Sequence, residues 1–568
     1  MSIVDRLAAA RGDTPADLVL RNGQLVNVIS GEIYPTDIVI HDRHVVGLGA
    51  GYAGQREVDL AGKYVAPGLI DAHAHIESSL VTPPEFARAV LPHGVTTVIT
   101  DPHEIANVLG LEGMRFMLER AKNVPLNMYV MASSCVPATD METTGARLEA
   151  EDLAPLVDHP WVLGLAELMN YPGVALGDEG MLDKIALFEH RVLDGHAPDM
   201  SGKMLSAYVT AGVQSEHECT TLAEAREKLR LGLTVFIREG TTTRNLKPLL
   251  PLITAENHSA ICFCTDDRIP ADLIDHGSID YMLRIAIAEG VDPMIAIRMG
   301  SYNTARHFGL KKYGAVAPGK YADLLVLPDL RDFRPEQVYR GGELVAQNGA
   351  MVGERGVSRR IDLRSTVNIG AGKLDFSIKA KGERIRVIGT IPDQVVTDQR
   401  VEWAKIVDGF ALSDIERDIL KFAMVERHRA SGNIGLGFIK GFGLRRGAIA
   451  GTVAHDHHNL AVIGVDDVSM RRAVAAIVEM GGGLALADGE AVLARLPLPV
   501  AGLMSELPIE AVRDQYDEMI AAARKLGNQM SDPYIVMSFM GLEVIPKLKL
   551  TDLGLVDVEQ FKLVDLFV

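Results

Sequence analysis

The sequence predicts an α/β protein: a (β/α)8 TIM-type barrel, a β-sandwich built from the segments that flank the barrel, and a C-terminal α+β domain. Three observations lead there. Between Gly68 and about Leu310, short β-rich runs alternate with helical or loop stretches, the texture of parallel strands joined by crossovers. Alternating β segments punctuated by turn residues stand before this stretch and return after it, from about Tyr313. Beyond Arg384 enough chain remains for one more domain. A chain of 568 residues exceeds what one hydrophobic core sustains, so several units are needed in any case. The expected limits are 1–67 and 313–383 for the two parts of the sandwich, 68–312 for the barrel and 384–568 for the last domain.

Taken in order, LVLRNGQLVNV, DIVIHDRHVVGLG and KYVAP are punctuated by Asn22-Gly23, Gly31-Glu32 and Gly49 to Gly51, which reads as a small antiparallel β unit. The barrel runs are GLIDAHAH, VTTVITD, NMYVMASS, WVLGLAELM, VLDGHA, VQSEHE, LTVFIREG and AICFCTDD. Helices are expected between them at Pro84 to Leu91, Leu222 to Leu231 and Ile279 to Glu289. YADLLVLPDL and VYRGGELVAQNG then complete the first β unit. The last region mixes the strands RIRVIGTI, GAIAGTVA, NLAVIGVD and GGLALADG with helices at Asp414 to Arg429, Ser469 to Met480 and Ile509 to Leu526.

A formal charge of −18 argues against nucleic-acid backbones and anionic membranes as partners and is compatible with a small, near-neutral substrate. Apolar runs such as Ala473 to Leu486 are interrupted by Glu479 and Gly481 to Gly483, so no membrane span is expected. The N-terminus lacks the apolar core of a secretory signal, and a cytoplasmic homo-oligomer is expected. Cys135, Cys219, Cys262 and Cys264 are too few for a disulfide framework and read as reduced core thiols.

The chemistry begins at His73-Ala74-His75. Residues two apart on a strand share a face, so both imidazoles converge at the C-terminal end of the first run, where catalytic groups of such barrels collect. Glu167, His196, His217 and Asp266 stand at the ends of the fourth, fifth, sixth and eighth runs. Four histidines and two carboxylates crowded into one mouth place uncompensated charge there, and a pair of divalent cations compensates it. Two cations sharing a water bring its pKa toward neutrality. Asp266 is the expected acceptor of that water's proton, with Asp267 its neighbour and rival. Mixed imidazole and carboxylate donors without thiolate favour Mn²⁺ or Fe²⁺ and permit Zn²⁺.

At these residues the sequence resembles the amidohydrolase superfamily, through Pro67-Gly68-Leu69-Ile70-Asp71-Ala72-His73-Ala74-His75, Thr265-Asp266 and the return phrase from Ala317 to Leu324. Within it, the sequence is most similar to the adenine deaminase family. The matching blocks are His75 to Ser79, Asp101 to Asn107, Ala166 to Val174, Asp194 to Pro198, Ser215 to Glu218, Arg238 to Gly240 and Cys264 to Arg268. Ala454 to Asn459 and Ser538 to Gly554 carry the likeness into the C-terminal region. The resemblance implies one ion held by His73, His75 and Asp266, a second by His196 and His217, and Glu167 bridging both. It implies hydrolysis of a free purine base, adenine to hypoxanthine and ammonia.

Attack at C6 of a purine calls for an acid that protonates N1. Glu77 is the first candidate, because it shares the histidines' face if the strand continues; Glu104 and Glu218 follow. Each could instead orient a ligand imidazole. His103 is a hydrogen-bond partner or a further metal contact. Arg238 and Arg268 either meet ring nitrogens or form salt bridges with local carboxylates. His455, His457 and His458 read as a surface or interface feature, unless the last domain folds over the mouth and caps the purine. A cyclic-amide or N-acyl hydrolase with the same metals, and a non-catalytic member of the fold, are the competing readings. The Pro-Cys-x-x-Cys signature of the unrelated zinc nucleobase deaminases does not occur.

Overall fold

The computed structural model describes residues 2–353, 361–369, 374–391 and 395–568. All eight β-rich runs contain strands: Leu69–His75, Val95–Thr100, Asn127–Ala132, Val162–Leu165, Val192–Leu193, Ser215–Glu216, Thr234–Arg238 and Ile261–Cys264. The first five pair in sequence order, and so do the last three; every one of these pairings is parallel. Between the two groups the Gln214 N–H donates to the Leu193 carbonyl at 2.9 Å. Asp266–Asp267, directly after the eighth strand, pairs in parallel with Leu69–His75, so the pairing returns to its start. Val95–Thr100 and Asn127–Ala132 are buried at every position, as expected for parallel strands covered on both faces.

The helices between strands fall within a residue or so of expectation, at Pro83–Val90, Leu222–Arg230 and Ile279–Ala288. The last two carry apolar positions at helical spacing, with Ile279, Met282, Leu283 and Ala286 buried on one face.

The flanking segments form one nine-stranded sheet, and Tyr64–Pro67 pairs antiparallel with Leu324–Leu327. The chain thus comes back to the unit it left. Two details differ from the sequence reading. The sheet is mixed, because Ala16–Asn27 pairs in parallel with Gly54–Asp59 and Tyr64–Pro67. Asn22-Gly23 makes no hairpin: it lies within the strand Ala16–Asn27, where the register shifts between Leu20 and Gly23 and Asn22 has φ 55°. It is a bulge, and the apolar residues on either side keep the strand continuous. The hairpin turn sits instead at Asp42-Arg43, whose φ values of 47° and 65° match the twist of the flanking strands. A helix not anticipated, Ile3–Arg11, precedes the sheet, capped by reciprocal bonds between Ser2 and Asp5.

The C-terminal region contains an eight-stranded sheet with the helices Asp467–Met480 and Ile509–Lys525. The four expected strands are present, at Arg384–Thr390, Ala448–Gly451, Leu460–Gly464 and Gly483–Asp488. The helix expected at Asp414 to Arg429 is not. Ile419–Val425 is a fully buried strand, paired antiparallel with Ile434–Lys440 on one side and Leu460–Gly464 on the other. The charges around it imitated an amphipathic helix, but Lys421 is buried and its ammonium donates to the Phe376 carbonyl at 2.9 Å and to Asp467 at 2.6 Å.

One hydrophobic cluster runs through all three regions, including Val26, Ile105, Phe263 and Phe422. Ser505 exchanges backbone hydrogen bonds with Leu80 and Thr82, just beyond the first parallel strand. The C-terminal region therefore lies against the end of the strands that carries the candidate site. All four cysteines are buried and unpaired. Among the described residues no helix is long and apolar enough to cross a membrane.

Candidate metal centre

His73 and His75 leave the first strand on one face, and their Nε2 atoms lie 3.1 Å apart. The strand's period of two produces this convergence. Their other ring nitrogens are held from behind: His75 Nδ1 donates to the Asp101 carbonyl at 3.0 Å, and His73 Nδ1 lies 3.3 Å from Asp194 Oδ2. Both Nε2 lone pairs are thereby left to face the centre.

Glu167, just past the fourth strand, reaches into the same space. Its Oε1 is 3.6 Å from His73 Nε2 and 3.3 Å from His75 Nε2; its Oε2 is 2.8 Å from His196 Nδ1 and 3.3 Å from His217 Nε2. One carboxylate thus spans two pairs of imidazoles. Asp266 Oδ1 lies 3.2 Å from His75 Nε2 and 3.9 Å from His73 Nε2. Asp266 adopts φ 57°, a conformation uncommon outside glycine. Asp71 holds the residue before it, accepting from Thr265 N at 3.0 Å and from Thr265 Oγ1 at 2.6 Å. Backbone strain of this kind gathers where surrounding structure fixes a functional group.

All six predicted donors therefore meet at one place. Five are buried and His196 is nearly so, at 12% side-chain exposure. Burial opposes ionisation of Glu167, yet His196, His217 and His75 hold its carboxyl well below the usual range. Burial likewise opposes Asp266, and Arg238 and His75 outweigh it.

The remaining candidates separate. Glu218 does not suit a proton donor: both guanidinium nitrogens of Arg238 contact it, and the cation keeps its carboxyl ionised against burial. Arg238 also donates to Asp266 Oδ2 at 2.7 Å, so it belongs to a salt-bridge network rather than standing free for a ring nitrogen. Arg268 donates to the Asp272 carbonyl at 3.4 Å and lies over the Tyr281 ring at 5.3 Å. His103 Nδ1 is 3.1 Å from Asp101 Oδ2 and 3.5 Å from Glu167 Oε1, between a supporting carboxylate and the centre itself.

Glu77 is near the centre, though not for the reason the sequence suggested. The strand stops at His75 and Ile76–Ser79 is a tight helical turn, so the alternation that put Glu77 on the histidines' face does not extend to it. Its Oε1 accepts from Ile105 N at 3.3 Å and its Oε2 has no partner; burial pushes its carboxyl up to about 7. Glu104 accepts from Ser78 Oγ at 2.9 Å, and burial, with Glu77 and Asp267 close by, raises it well above the usual range. Ser78 also bonds Asp267.

Sequence reasoning assigned no place to Asp101, Asp194 or Asp456. The first two lie in Asp-Pro-His and Asp-Gly-His, beside residues already singled out, and their proximity was the available signal. Asp456 Oδ1 approaches His103 Nε2 at 3.7 Å from the C-terminal region, and nothing in the local sequence announces that. The same turn corrects the reading of His455, His457 and His458 as surface groups: all three are buried. His455 stacks on Phe539 with ring centroids 4.5 Å apart. A cavity of about 870 Å³ opens beside the centre, lined by Tyr171, His196, Glu218 and Arg238 from one side and Val396 and Phe539 from the other.

Comparison with known proteins shows the family to which the chain is similar. Residues 64–345 match the model of the amidohydrolase family, and residues 394–562 match that of the adenine deaminase C-terminal domain. The chain is 50% identical over 568 residues to a protein of Desulfatibacillum aliphaticivorans named adenine deaminase, covering 99% of each chain. A Kosmotoga olearia protein of the same name is 46% identical over 575 residues, covering 100% of this chain and 99% of the relative. A third, from Methanothrix thermoacetophila, is 46% identical over 571 residues and the match covers both chains fully. Among solved structures the chain is similar to a beta-aspartyl dipeptidase of Fervidobacterium islandicum AW-1, with a TM-score of 0.46, 16% identity, and coverage of 59% of this chain and 98% of that one.

Proposed function

The chain belongs to the adenine deaminase family, and from that premise we propose that it hydrolyses adenine to hypoxanthine and ammonia at the centre formed by His73, His75, Glu167, His196, His217 and Asp266. The observation that carries this reading is Glu167, whose two oxygens each face a different pair of imidazoles.

The donor set fits two divalent ions. His73, His75 and Asp266 would hold one, His196 and His217 the other, with Glu167 shared. Buried imidazoles whose far nitrogens are already fixed by Asp101 and Asp194 offer their lone pairs inward, and a cation satisfies them where a proton at each would not. Nitrogen and carboxylate donors without thiolate suit Mn²⁺ or Fe²⁺ and admit Zn²⁺. When bound, such ions make a water acidic enough to attack near neutral pH.

The chain's own groups handle the protons. Asp266 Oδ2 is tied to Arg238, which leaves Oδ1, facing His75, to take the proton released from the attacking water. Burial raises Glu77 to about 7 and Glu104 well above the usual carboxylate range, and each has an unpartnered Oε2. They supply the proton for purine N1, so that attack at C6 does not leave an anion on the ring. The C6–N bond breaks, a C6–O bond forms, ammonia departs with the proton Asp266 returns, and the proton left on the C6 oxygen goes back to the ionised glutamate as the carbonyl of hypoxanthine forms. The cavity is roomy enough for a free base, and its aromatic wall, Tyr171 and Phe539, suits a flat heterocycle.

The same reading takes the closed order of parallel strands as a (β/α)8 barrel over 68–312. It takes the flanking sheet as a sandwich from 1–67 and 313–383, and 384–568 as a separate α+β domain. The return of Asp266–Asp267 to the first strand and the pairing of Tyr64–Pro67 with Leu324–Leu327 support it.

The test is turnover in H₂¹⁸O. Adenine is expected to give ammonia and hypoxanthine carrying one ¹⁸O at C6, with no opening of dihydroorotate or hydantoin. Ring opening of a cyclic amide with no ammonia from adenine would replace the proposal with the cyclic-amide reading.

A further inference from the structure

The buried turn 454–459 presents two histidines to carboxylates, and their hydrogen bonds tell them apart. His458 Nδ1 accepts the backbone N–H of Ala454 at 3.2 Å. Its ring proton is therefore on Nε2, which faces Glu104 Oε2 at 3.8 Å and has no lone pair to offer a cation. His457 is the reverse. Its Nε2 lies 3.3 Å from the Thr139 carbonyl, which only accepts, so Nε2 carries a proton and, in the neutral ring, the lone pair is on Nδ1.

That lone pair points between two acids. Glu142 Oε2 is 3.3 Å from Nδ1 and Glu543 Oε1 is 3.5 Å from it, with all three side chains at most 1% exposed. Neither approach is aligned as a hydrogen bond: His457 Nδ1, Glu142 Oε2 and Glu543 Oε2 all lack partners. The acids are themselves held in place. Glu142 Oε1 accepts from Asn459 Nδ2 at 2.7 Å, and Glu543 Oε1 accepts from Thr139. Lys549, fully buried, directs its ammonium to the carbonyls of Val395 and Phe539 at 2.9 Å each. Two ionised carboxylates and a neutral imidazole would leave the pocket strongly negative. Burial lowers His457, yet Glu543 and Glu142 push it up to about 10, so the pocket calls for positive charge at Nδ1.

We propose that Glu142, His457 and Glu543 form a further divalent-cation site, structural in role, that ties the segment around Thr139 to the C-terminal region. Ligand atoms 3.3 and 3.5 Å apart match the edge, about 3.4 Å, of a tetrahedron whose centre lies ~2.1 Å from each donor. A histidine ligand that donates its other N–H to a backbone carbonyl is the usual arrangement. One nitrogen and two carboxylates suit Zn²⁺ or Mn²⁺. A proton on Nδ1 balances one acid, and burial raises the Glu142 carboxyl to about 7; a divalent ion would balance both acids in their ionised form.

The full chain, stripped with chelator, reloaded with Zn²⁺ or Mn²⁺ and desalted, is assayed for metal by plasma mass spectrometry beside Glu543→Gln and Glu142→Gln. Each variant is expected to hold one equivalent less than the unaltered chain while releasing ammonia from adenine at an unchanged rate. Equal metal content in the chain and its folded variants would overturn the proposal. Should the variants fail to fold, anomalous diffraction from Zn²⁺-loaded crystals of the unaltered chain decides. A peak between the three side chains supports the site, and a bare imidazolium there contradicts it.

Discussion

Two histidine clusters, His73–His75 and His455–His458, look alike on paper and behave differently in the fold. The first lies on a strand, whose alternation sends both rings to one point with Nε2 atoms 3.1 Å apart. The second lies on a turn, where no such repeat operates. His455 stacks on Phe539, His457 sits between Glu142 and Glu543, and His458 faces Glu104. Regular secondary structure turns sequence spacing into convergence, whereas a turn spreads neighbours among different partners.

If the strand cluster is the reactive one, its partners matter most. Asp266→Asn is expected to lower kcat about 10³-fold while most of the metal is retained, as loss of a proton acceptor does. Full activity in that variant would remove its role, and loss of all metal would make Asp266 chiefly a ligand. Next in size, Glu77→Gln and Glu104→Gln should each lower kcat roughly 10²-fold with metal content unchanged. Whichever falls further is the principal donor to N1, and two unaffected variants would place the acid elsewhere.

The turn cluster reaches the metal donors through its carboxylate, by way of His103. Asp456→Asn removes the group 3.7 Å from His103 Nε2, and metal affinity, measured by competition with a chelator, should weaken about 10-fold, as expected when a supporting partner is lost. An unchanged affinity would uncouple the two clusters. The remaining effect expected is on stability rather than on activity or metal affinity. Arg427, fully buried, donates to the carbonyls of His458, Thr366 and Ala501. Arg427→Met should cost about 3 kcal/mol in urea unfolding, because the carbonyls lose their donors.

The contrast also explains what was legible in the sequence. The eight parallel strands were readable as short apolar runs between helical stretches, and the six donors because each stands at or just past a strand end. What failed depended on partners distant in the chain. Ile419–Val425 looked helical since its flanking charges hid a segment buried between two other strands. Asn22-Gly23 read as punctuation in the first β unit, and only the register of the neighbouring strand shows it to be a bulge within one strand. Glu77 reached the site by a tight turn rather than by the alternation that first suggested it. Asp456 and the burial of His455, His457 and His458 follow only from the packing of the C-terminal region against the mouth, which no local pattern encodes.

Ammonia release from adenine, followed with the chelated chain before and after Mn²⁺ is restored, tests the whole account most directly. Release should be absent in the stripped chain, return with the metal, and be negligible with adenosine or cytosine. Undiminished release from a chain shown to be free of metal would contradict the convergence of His73, His75, Glu167, His196, His217 and Asp266 as the source of activity.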